Sequence, residues 1–317
     1  MPLAHLVLGN INVDITLYVK RLPELGSTLV ASEALIAPGG AAVNYAIASA
    51  RAGHKPILIA HTTRIIGSKL ILNLLSREGV DISRVVVHDE GWPGIVVVMV
   101  DSKGNRTMVK HPGVNTLLRG DEVRGLRSCP QVVHGASVAP VVLKRCLSVL
   151  ELEGCKPRLV SYDPGGSIAR EYGGSIIREL EGTRISLYVN EDEARSILGS
   201  MSKEKLLETV DRLSEALILV KRGEKGALLV MKNLTYCVDA YKEAGTVDTT
   251  GAGDVFNAYL NTLLVEGASI ETALVYASIA AGIKVSRKGA GVASPYRREV
   301  ERVIKLGRYP KAKMCDS

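Results

Sequence analysis

The spacing of apolar positions changes rhythm along the chain. Leu3 to Gly9 reads as a buried strand that breaks at Asn10-Ile11-Asn12. Alternation follows in Ile15-Thr16-Leu17-Tyr18-Val19 and again from Ser27 to Ile36. Gly39-Gly40 opens an Ala-rich helix to about Arg51, stopped by Gly53, and Ile57 to Ala60 is a short buried strand. Gly67 to Arg77 has helical spacing with Gly79 as its cap. Arg84 to His88, Gly94 to Val100 and Arg106 to His111 read as strands, with a hairpin signal at Asp101-Ser102-Lys103-Gly104-Asn105. These hairpins fall outside a βα rhythm, so they are assigned with Ile15 to Leu35 to a small β lobe, inserted at about 13–36 and 92–112.

From Val132 the rhythm becomes regular. Strands are expected at 131–135, 158–162, 185–189 and 216–221, with helices near 140–152, 172–180, 190–198 and 203–213. A late hairpin spans Gly226 to Val230 and Leu234 to Val238, followed by two long Ala-rich helices near 252–266 and 269–285. This order predicts an α/β fold: a doubly wound, mostly parallel sheet flanked by helices, with a small β-sheet lid, all in one domain over 1–317. Ligands of such sheets lie at the carboxyl ends of the strands.

Composition sharpens this. With one Phe and one Trp, the core must be packed with Val, Ile, Leu and Ala, as parallel sheets covered by helices are. Hydrophobic residues at 46% and charged residues at 23% exclude a disordered chain. Of the net charge of +7, residues 297–317 carry +4. That segment reads as a solvated helix rather than a nucleic-acid surface, because only Tyr296 and Tyr309 accompany its charges. The five cysteines are odd in number and form no C-x-x-C pair, which argues for reduced buried thiols over a disulfide framework or a zinc site. The N-terminus lacks a basic leader, and the longest uncharged stretch, Ala34 to Ala50, is too polar to span a bilayer. A cytoplasmic protein with no membrane partner is expected.

The strongest local signal is Val247-Asp248-Thr249-Thr250-Gly251-Ala252-Gly253-Asp254, which joins a β segment to a long helix. Gly251, Ala252 and Gly253 let the backbone approach a ligand, and amides at a helix start stabilise an anion. Asp254 in that same turn suits a base beside a phosphate; a plain capping turn is the competing reading. The dinucleotide fingerprint fails, since Phe256 stands where its third glycine belongs, and no G-x-x-x-x-G-K-[ST] exists. Pro38-Gly39-Gly40-Ala41-Ala42-Val43-Asn44 is a second helix start, either packed on a strand or offering Asn44 to a hydroxyl. Asp14 fits a carboxylate that holds a polyol or an ordinary turn. Asn190-Glu191-Asp192-Glu193 begins a helix, where acids are favoured; a water-mediated Mg²⁺ contact is the alternative. His134-Gly135-Ala136-Ser137-Val138-Ala139 fails as a nucleophile elbow at Ala139, and Asp163-Pro164-Gly165-Gly166 reads as a turn at a strand end.

Taken in order and spacing, these segments resemble the ribokinase-like (PfkB) family of carbohydrate and nucleoside kinases over most of the chain. Gly39-Gly40 with Asn44 matches the first family signature, and Asp248 to Asp254 matches the second. Asp14, the Asn-x-x-Glu at 190–193 and Lys221-Arg222-Gly223-Glu224-Lys225-Gly226 also fall where the family has counterparts. The resemblance implies an α/β domain with a β lid, and transfer of the terminal phosphate of ATP or ADP to an alcohol of a sugar, sugar phosphate or nucleoside. It makes Asp254 the base and the amides of Gly251, Ala252 and Gly253 the anion site. Asp14, Gly39, Gly40 and Asn44 would hold the acceptor, and Lys221, Gly223, Gly226 and Thr249 would border the nucleotide. Asn190 and Glu193 would organise Mg²⁺ through water, and Asp248, Thr250 and Gly289 would mark a monovalent-cation (K⁺) site seen in some members. A homodimer through the lid, as some relatives form, is a further expectation. A non-catalytic nucleotide- or sugar-binding regulatory protein of the same fold is the alternative, against which the intact Asp254 argues.

The chain departs from the family at His61-Thr62-Thr63-Arg64, where many members carry glycine and acidic residues. A basic residue there, with Lys110 and His111 in the lid, suits a phosphorylated acceptor; a surface arginine is the competing reading of Arg64.

Overall fold

The computed structural model describes residues 3–65, 67–103, 106–214, 216–242 and 245–315. The expected Gly104-Asn105 hairpin tip and the terminal Asp316 and Ser317 lie outside these.

The large sheet has the strand order β14-β13-β12-β11-β10-β9-β8-β1-β4-β5. Its central strand, β1 (Ala4–Gly9), pairs in parallel with β4 (Lys55–Thr63) on one side and β8 (Val132–Ala136) on the other. Outward from β8 run β9 (Leu159–Asp163), β10 (Ser186–Asn190) and β11 (Ile218–Lys221), all parallel. β12 (Ala227–Val230), β13 (Thr235–Val238) and the three-residue β14 (Ala312–Met314) close that edge antiparallel. The chain winds one way through β1 and β4 and the other way from β8, so the strand order reverses at the β1/β8 crevice, where doubly wound sheets take their ligands.

Helices cover both faces. α1 (Ala41–Arg51), α8 (Ala252–Glu266) and α9 (Ile270–Val285) lie on one core; α3 (Pro140–Leu152), α6 (Glu191–Leu198) and α7 (Lys203–Arg212) lie on the other. The period-two rule is visible in β1, where Val7 joins the first core while Leu6 and Leu8 join the second. α8 and α9 are apolar nearly all round because α1, the sheet and each other enclose them.

The lid is a separate four-stranded sheet, β3 (Glu33–Gly39), β2 (Asn12–Tyr18), β6 (Gly94–Val100) and β7 (Arg106–His111), in that order. β5 (Val85–His88), assigned to the lobe from its hairpin-like spacing, instead pairs in parallel with β4 and forms the edge of the large sheet. Its four residues were too short to reveal the crossover helix, α2 (Ser68–Arg77), as the connection of a βαβ unit. The helix expected at 172–180 is α5 (Ser175–Leu180), and a further helix, α4 (Gly165–Tyr172), precedes it where only a turn is expected; Gly173, in a positive-φ conformation (φ 47°), separates the two. The basic helix is α10 (Arg297–Lys305), whose Arg297 pairs with Glu266 and Glu301.

The expectation of reduced thiols is corrected. Cys129 is bonded to Cys155 and Cys237 to Cys315, and only Cys146 is free, buried under the sheet. Cys129 precedes β8 and Cys155 precedes β9, so the two meet at the amino ends of neighbouring strands; Cys237 lies in β13 and Cys315 directly follows its partner strand β14. Strand pairing across 26 and 78 residues makes both contacts, and no local spacing encodes them. No helix among the described residues is long and apolar enough to cross a membrane.

Candidate active site

Two helix starts converge over the carboxyl ends of the parallel strands. At α8, Gly251 caps the helix with φ 75°, a left-handed conformation that glycine adopts without strain; the Ala252 amide donates to the Thr249 carbonyl at 3.3 Å, and Gly251, Ala252 and Gly253 line a cavity. At α1, Gly40 has φ 101°, and a Cβ on it would meet the Asn10 carbonyl oxygen at 2.2 Å. Asn44, one turn into α1, bridges the two. Its Nδ2 donates to Asp254 Oδ2 at 2.8 Å, and its Oδ1 accepts from the Gly291 amide at 2.9 Å.

Asp254 stands in the first turn of α8, recessed but still partly open to solvent. Burial raises its pKa to about 7, and the nearby Asp163 adds to the rise, while the Asn44 hydrogen bond and the Lys221 ammonium oppose it. The carboxyl thus titrates near neutrality, as a general base does best. Asp163 ends β9 as a buried carboxylate: Oδ2 accepts from Lys221 Nζ at 2.5 Å and Asn257 Nδ2 at 2.8 Å, and Oδ1 accepts from the Gly165 amide at 3.1 Å. Burial works against charge on both partners of this ion pair, yet each holds the other charged: Asp163 is lowered and Lys221 raised. A Cβ on Gly253 would lie 3.3 Å from Lys221 Nζ, so glycine there lets the ammonium lie along the 251–253 turn.

These residues form the floor of a cavity of about 660 Å³, large enough for a nucleotide-sized ligand. Its polar end holds Asp163, Asn190, Glu193, Lys221 and Asp254; Ala240, Tyr241, Ala281 and Val285 line a more apolar wall. Gly223, Gly226 and Thr249 also border it. Gly226 (φ 85°) is forced, since a Cβ would meet the Val238 carbonyl oxygen at 1.9 Å. Asn190 and Glu193 cap α6 reciprocally, with Asn190 Oδ1 accepting from the Glu193 amide at 2.9 Å and Glu193 Oε2 from the Asn190 amide at 2.8 Å.

Beyond Asn44, on the lid side, Asp14 sits against Gly39, where a Cβ would fall 2.0–2.1 Å from the carboxyl atoms. Asp14 Oδ1 is buried without a hydrogen-bond partner. Burial raises this carboxyl to about 6, against the pull of Lys110, which faces it across the register row Asp14, Val96, Lys110. An orphaned carboxylate oxygen calls for a donor such as a ligand hydroxyl. Asp248 and Gly289 meet through the Gly289 amide, which donates to Asp248 Oδ2 at 3.0 Å, and the Thr250 amide donates to Oδ1 at 2.9 Å.

Asp254, Gly251–Gly253, Lys221, Gly223, Gly226, Thr249, Asn190 and Glu193 therefore line one cavity, and Asn44 joins them through its bond to Asp254; Asp14, Gly39 and Lys110 meet in the lid sheet, outside that lining. Arg64 stands apart: its side chain is 70% exposed and pairs with Asp89. The sequence shows Asp163 as a turn at a strand end, beside which a ligand could lie, and Ser137 only in a failed nucleophile elbow, and it gives no sign of Asn257; Asp163 and Ser137 both line the cavity. The available signal was the position of Asp163 at the carboxyl end of a parallel strand.

The comparisons with known proteins agree. The model of the "pfkB family carbohydrate kinase" matches residues 5–297. A ribokinase of Haemophilus influenzae is 27% identical, covering 92% of this chain and 95% of the relative. An ATP-dependent ribose-1-phosphate kinase of Halopiger xanaduensis is 28% identical, covering 89% and 92%. The solved structure of an Arabidopsis thaliana ribokinase complexed with ribose and ATP superposes with a TM-score of 0.81 at 25% identity, covering 96% of this chain and 99% of that one. The chain belongs to the pfkB family of carbohydrate kinases.

Proposed function

We propose that this kinase transfers the terminal phosphate of ATP to a hydroxyl of a sugar, a sugar phosphate or a nucleoside, with Asp254 as the base. The observation that carries the reading is the place of Asp254: it lines the 660 Å³ cavity, where the donor would fit, and is hydrogen-bonded to Asn44 in the helix that follows the lid strand β3. The acceptor's hydroxyls donate to Asp14, whose buried oxygen lacks a partner, and Asn44 holds Asp254 toward the reacting hydroxyl. Asp254 takes that hydroxyl's proton as the hydroxyl oxygen attacks the terminal phosphorus, and the bond from that phosphorus to the bridging oxygen breaks, with ADP as the leaving group. The amides of Gly251, Ala252 and Gly253 and the Lys221 ammonium stabilise the charge on the transferring group. Gly223, Gly226 and Thr249 flank the donor.

The residues present suit Mg²⁺. That ion uses one or two carboxylates together with donor phosphates rather than an all-protein cage. Glu193 lines the cavity beside Asp254, and among the described residues no cluster of three or more His, Cys, Asp or Glu forms a cage. Bound Mg²⁺ would neutralise the donor phosphates, held through water by Asn190 and Glu193. Lys110 beside Asp14 supports a phosphorylated acceptor, and Arg64 joins it only if it leaves Asp89. Ile36 and Val109, exposed in one register row of the lid, support a homodimer through that sheet.

The test is a coupled assay of ATP and ADP with Mg²⁺ against ribose, ribose 1-phosphate, fructose 6-phosphate, 2-keto-3-deoxygluconate and nucleosides, with Asp254→Asn as control. Turnover of one acceptor that disappears in the control establishes the reaction and its substrate class. Turnover that survives in the control removes Asp254 from the base role.

A further inference from the structure

α9 carries an ammonium into the core. Lys284 is 0% exposed, among Ile279, Ala280, Ile283 and other buried residues of its helix. Burying a charge is unfavourable unless it is paired and hydrogen-bonded. Lys284 meets that condition at the turn that leads into α8. Its Nζ donates to the Asp248 backbone oxygen at 2.7 Å and lies 3.9 Å from Asp248 Oδ1. The amides of Val247 and Asp248 donate in turn to the Val285 carbonyl at 2.7 and 2.9 Å, which ties the turn to the residue next to Lys284.

The monovalent-cation site expected at Asp248, Thr250 and Gly289 does not fit this arrangement. Thr250 and Gly289 present N–H donors to Asp248, at 2.9 and 3.0 Å, the Thr250 side chain adds a hydrogen bond of its own, and the Asp248 carbonyl oxygen already accepts from an ammonium. Burial would raise the Asp248 carboxyl, yet the Thr250 and Gly289 hydrogen bonds and the Lys284 charge together hold it low and ionised. An alkylammonium has the unit charge of K⁺ and likewise takes oxygen donors.

We propose that Lys284 is a built-in cation: its ammonium does for the 248–250 turn what a bound monovalent ion would do, and the enzyme works without one. The turn fixes the anion-binding amides of 251–253, so Lys284 is a positioning residue that acts on the transferring phosphate through Asp248.

The activity arm of the test rests on the kinase reading, but the thermal arm does not. The full-length protein is melted, and assayed with its acceptor, in tetramethylammonium, Na⁺, K⁺ and NH₄⁺ chlorides at one ionic strength. An ion that binds the folded state raises Tm by mass action. The wild type is expected to melt at one temperature in all four salts and to turn over at rates within about twofold of each other, since only general screening remains. A K⁺-specific rise in Tm, or activation by K⁺ of about tenfold over tetramethylammonium (about 1.4 kcal/mol), overturns the proposal. Lys284→Ala is expected to lose at least about tenfold in turnover in tetramethylammonium and to regain part of it, with a higher Tm, in K⁺ or NH₄⁺. A Lys284→Ala protein that folds and keeps wild-type turnover in every salt also overturns it. If that variant does not fold, the wild-type series decides alone. Absence of turnover with every acceptor in every salt would count against the kinase reading and leave the melting result standing.

Discussion

Asn44 and Asp254 are separated by 210 residues and meet at 2.8 Å, side chain to side chain. The contact leaves Asp254 able to titrate near pH 7, because burial and Asp163 outweigh the Asn44 hydrogen bond. Only the ionised carboxylate accepts a proton. The rate should therefore rise with pH through about 7 and level off above it. Asp254→Asn should cut kcat by about 10²–10⁴-fold while leaving nucleotide affinity unchanged, measured by steady-state kinetics and equilibrium titration.

The same shift predicts a stability effect of opposite sense. A carboxyl raised from 3.8 to about 7 penalises the folded state once the unfolded chain ionises, so stability falls as pH rises between those values and stays low above them. Asp254→Asn removes the penalty while its side-chain oxygen still accepts from Asn44. Allowing for partial exposure, the variant should gain about 1–3 kcal/mol at pH 8 and almost nothing near pH 4. Melting at the two pH values checks this.

Asp163→Asn should do more than weaken the structure. It removes the negative charge that raises Asp254 and leaves the Lys221 ammonium buried without its counter-ion. The acid limb of the pH–rate profile should move to lower pH, and kcat should fall by at least about tenfold, the scale of a lost charge-assisted hydrogen bond. A structural role alone would lower Tm and leave the limb where it was.

Gly39→Ala tests the proposed acceptor contact at Asp14. Its Cβ would fall 2.0 Å from Asp14 Oδ1, so the carboxyl has to leave its place. The acceptor KM should rise about 10- to 100-fold, the worth of a hydrogen bond to a charged group. Nucleotide affinity, read by titration, should not change.

Reduction should destabilise the protein. Crosslinks that close loops of 26 and 78 residues are worth about 3–5 kcal/mol each in loop entropy, as upper values. Tm should drop on treatment with a phosphine. Thiol counting in denaturant should find one free cysteine before reduction and five after.

The parts of the site legible in the sequence were those that glycine marks. Gly39, Gly40, Gly251 and Gly253 sit where a Cβ would strike Asp14, Asn10, Asn44 or Lys221, so their spacing advertised two helix starts built for close approach. The alternation in Ile15 to Val19 and the βα rhythm after Val132 likewise announced the lid and the sheet. Asn257 and Lys284 announced nothing, and Asp163 announced only a strand end, because their partners arrive from other strands and helices: Lys221 lies 58 residues from Asp163, and Asp248 lies 36 from Lys284. The cysteine pairs were hidden for the same reason, and β5 was too short for its rhythm to outweigh a neighbouring hairpin.

The clamp on Asn44 also sets a timetable for synthesis. Asp14 and Gly39, the proposed acceptor holders, lie in the first part of the chain, whereas Asp254, the proposed base, lies 210 residues beyond Asn44, and Gly291, whose amide steadies Asn44, lies 247 beyond it. A nascent chain that has already built its lid is still chemically mute. A product that stops short of Gly291 keeps its carboxylate but loses the strut behind Asn44, so phosphate transfer is expected only once Gly291 has been made.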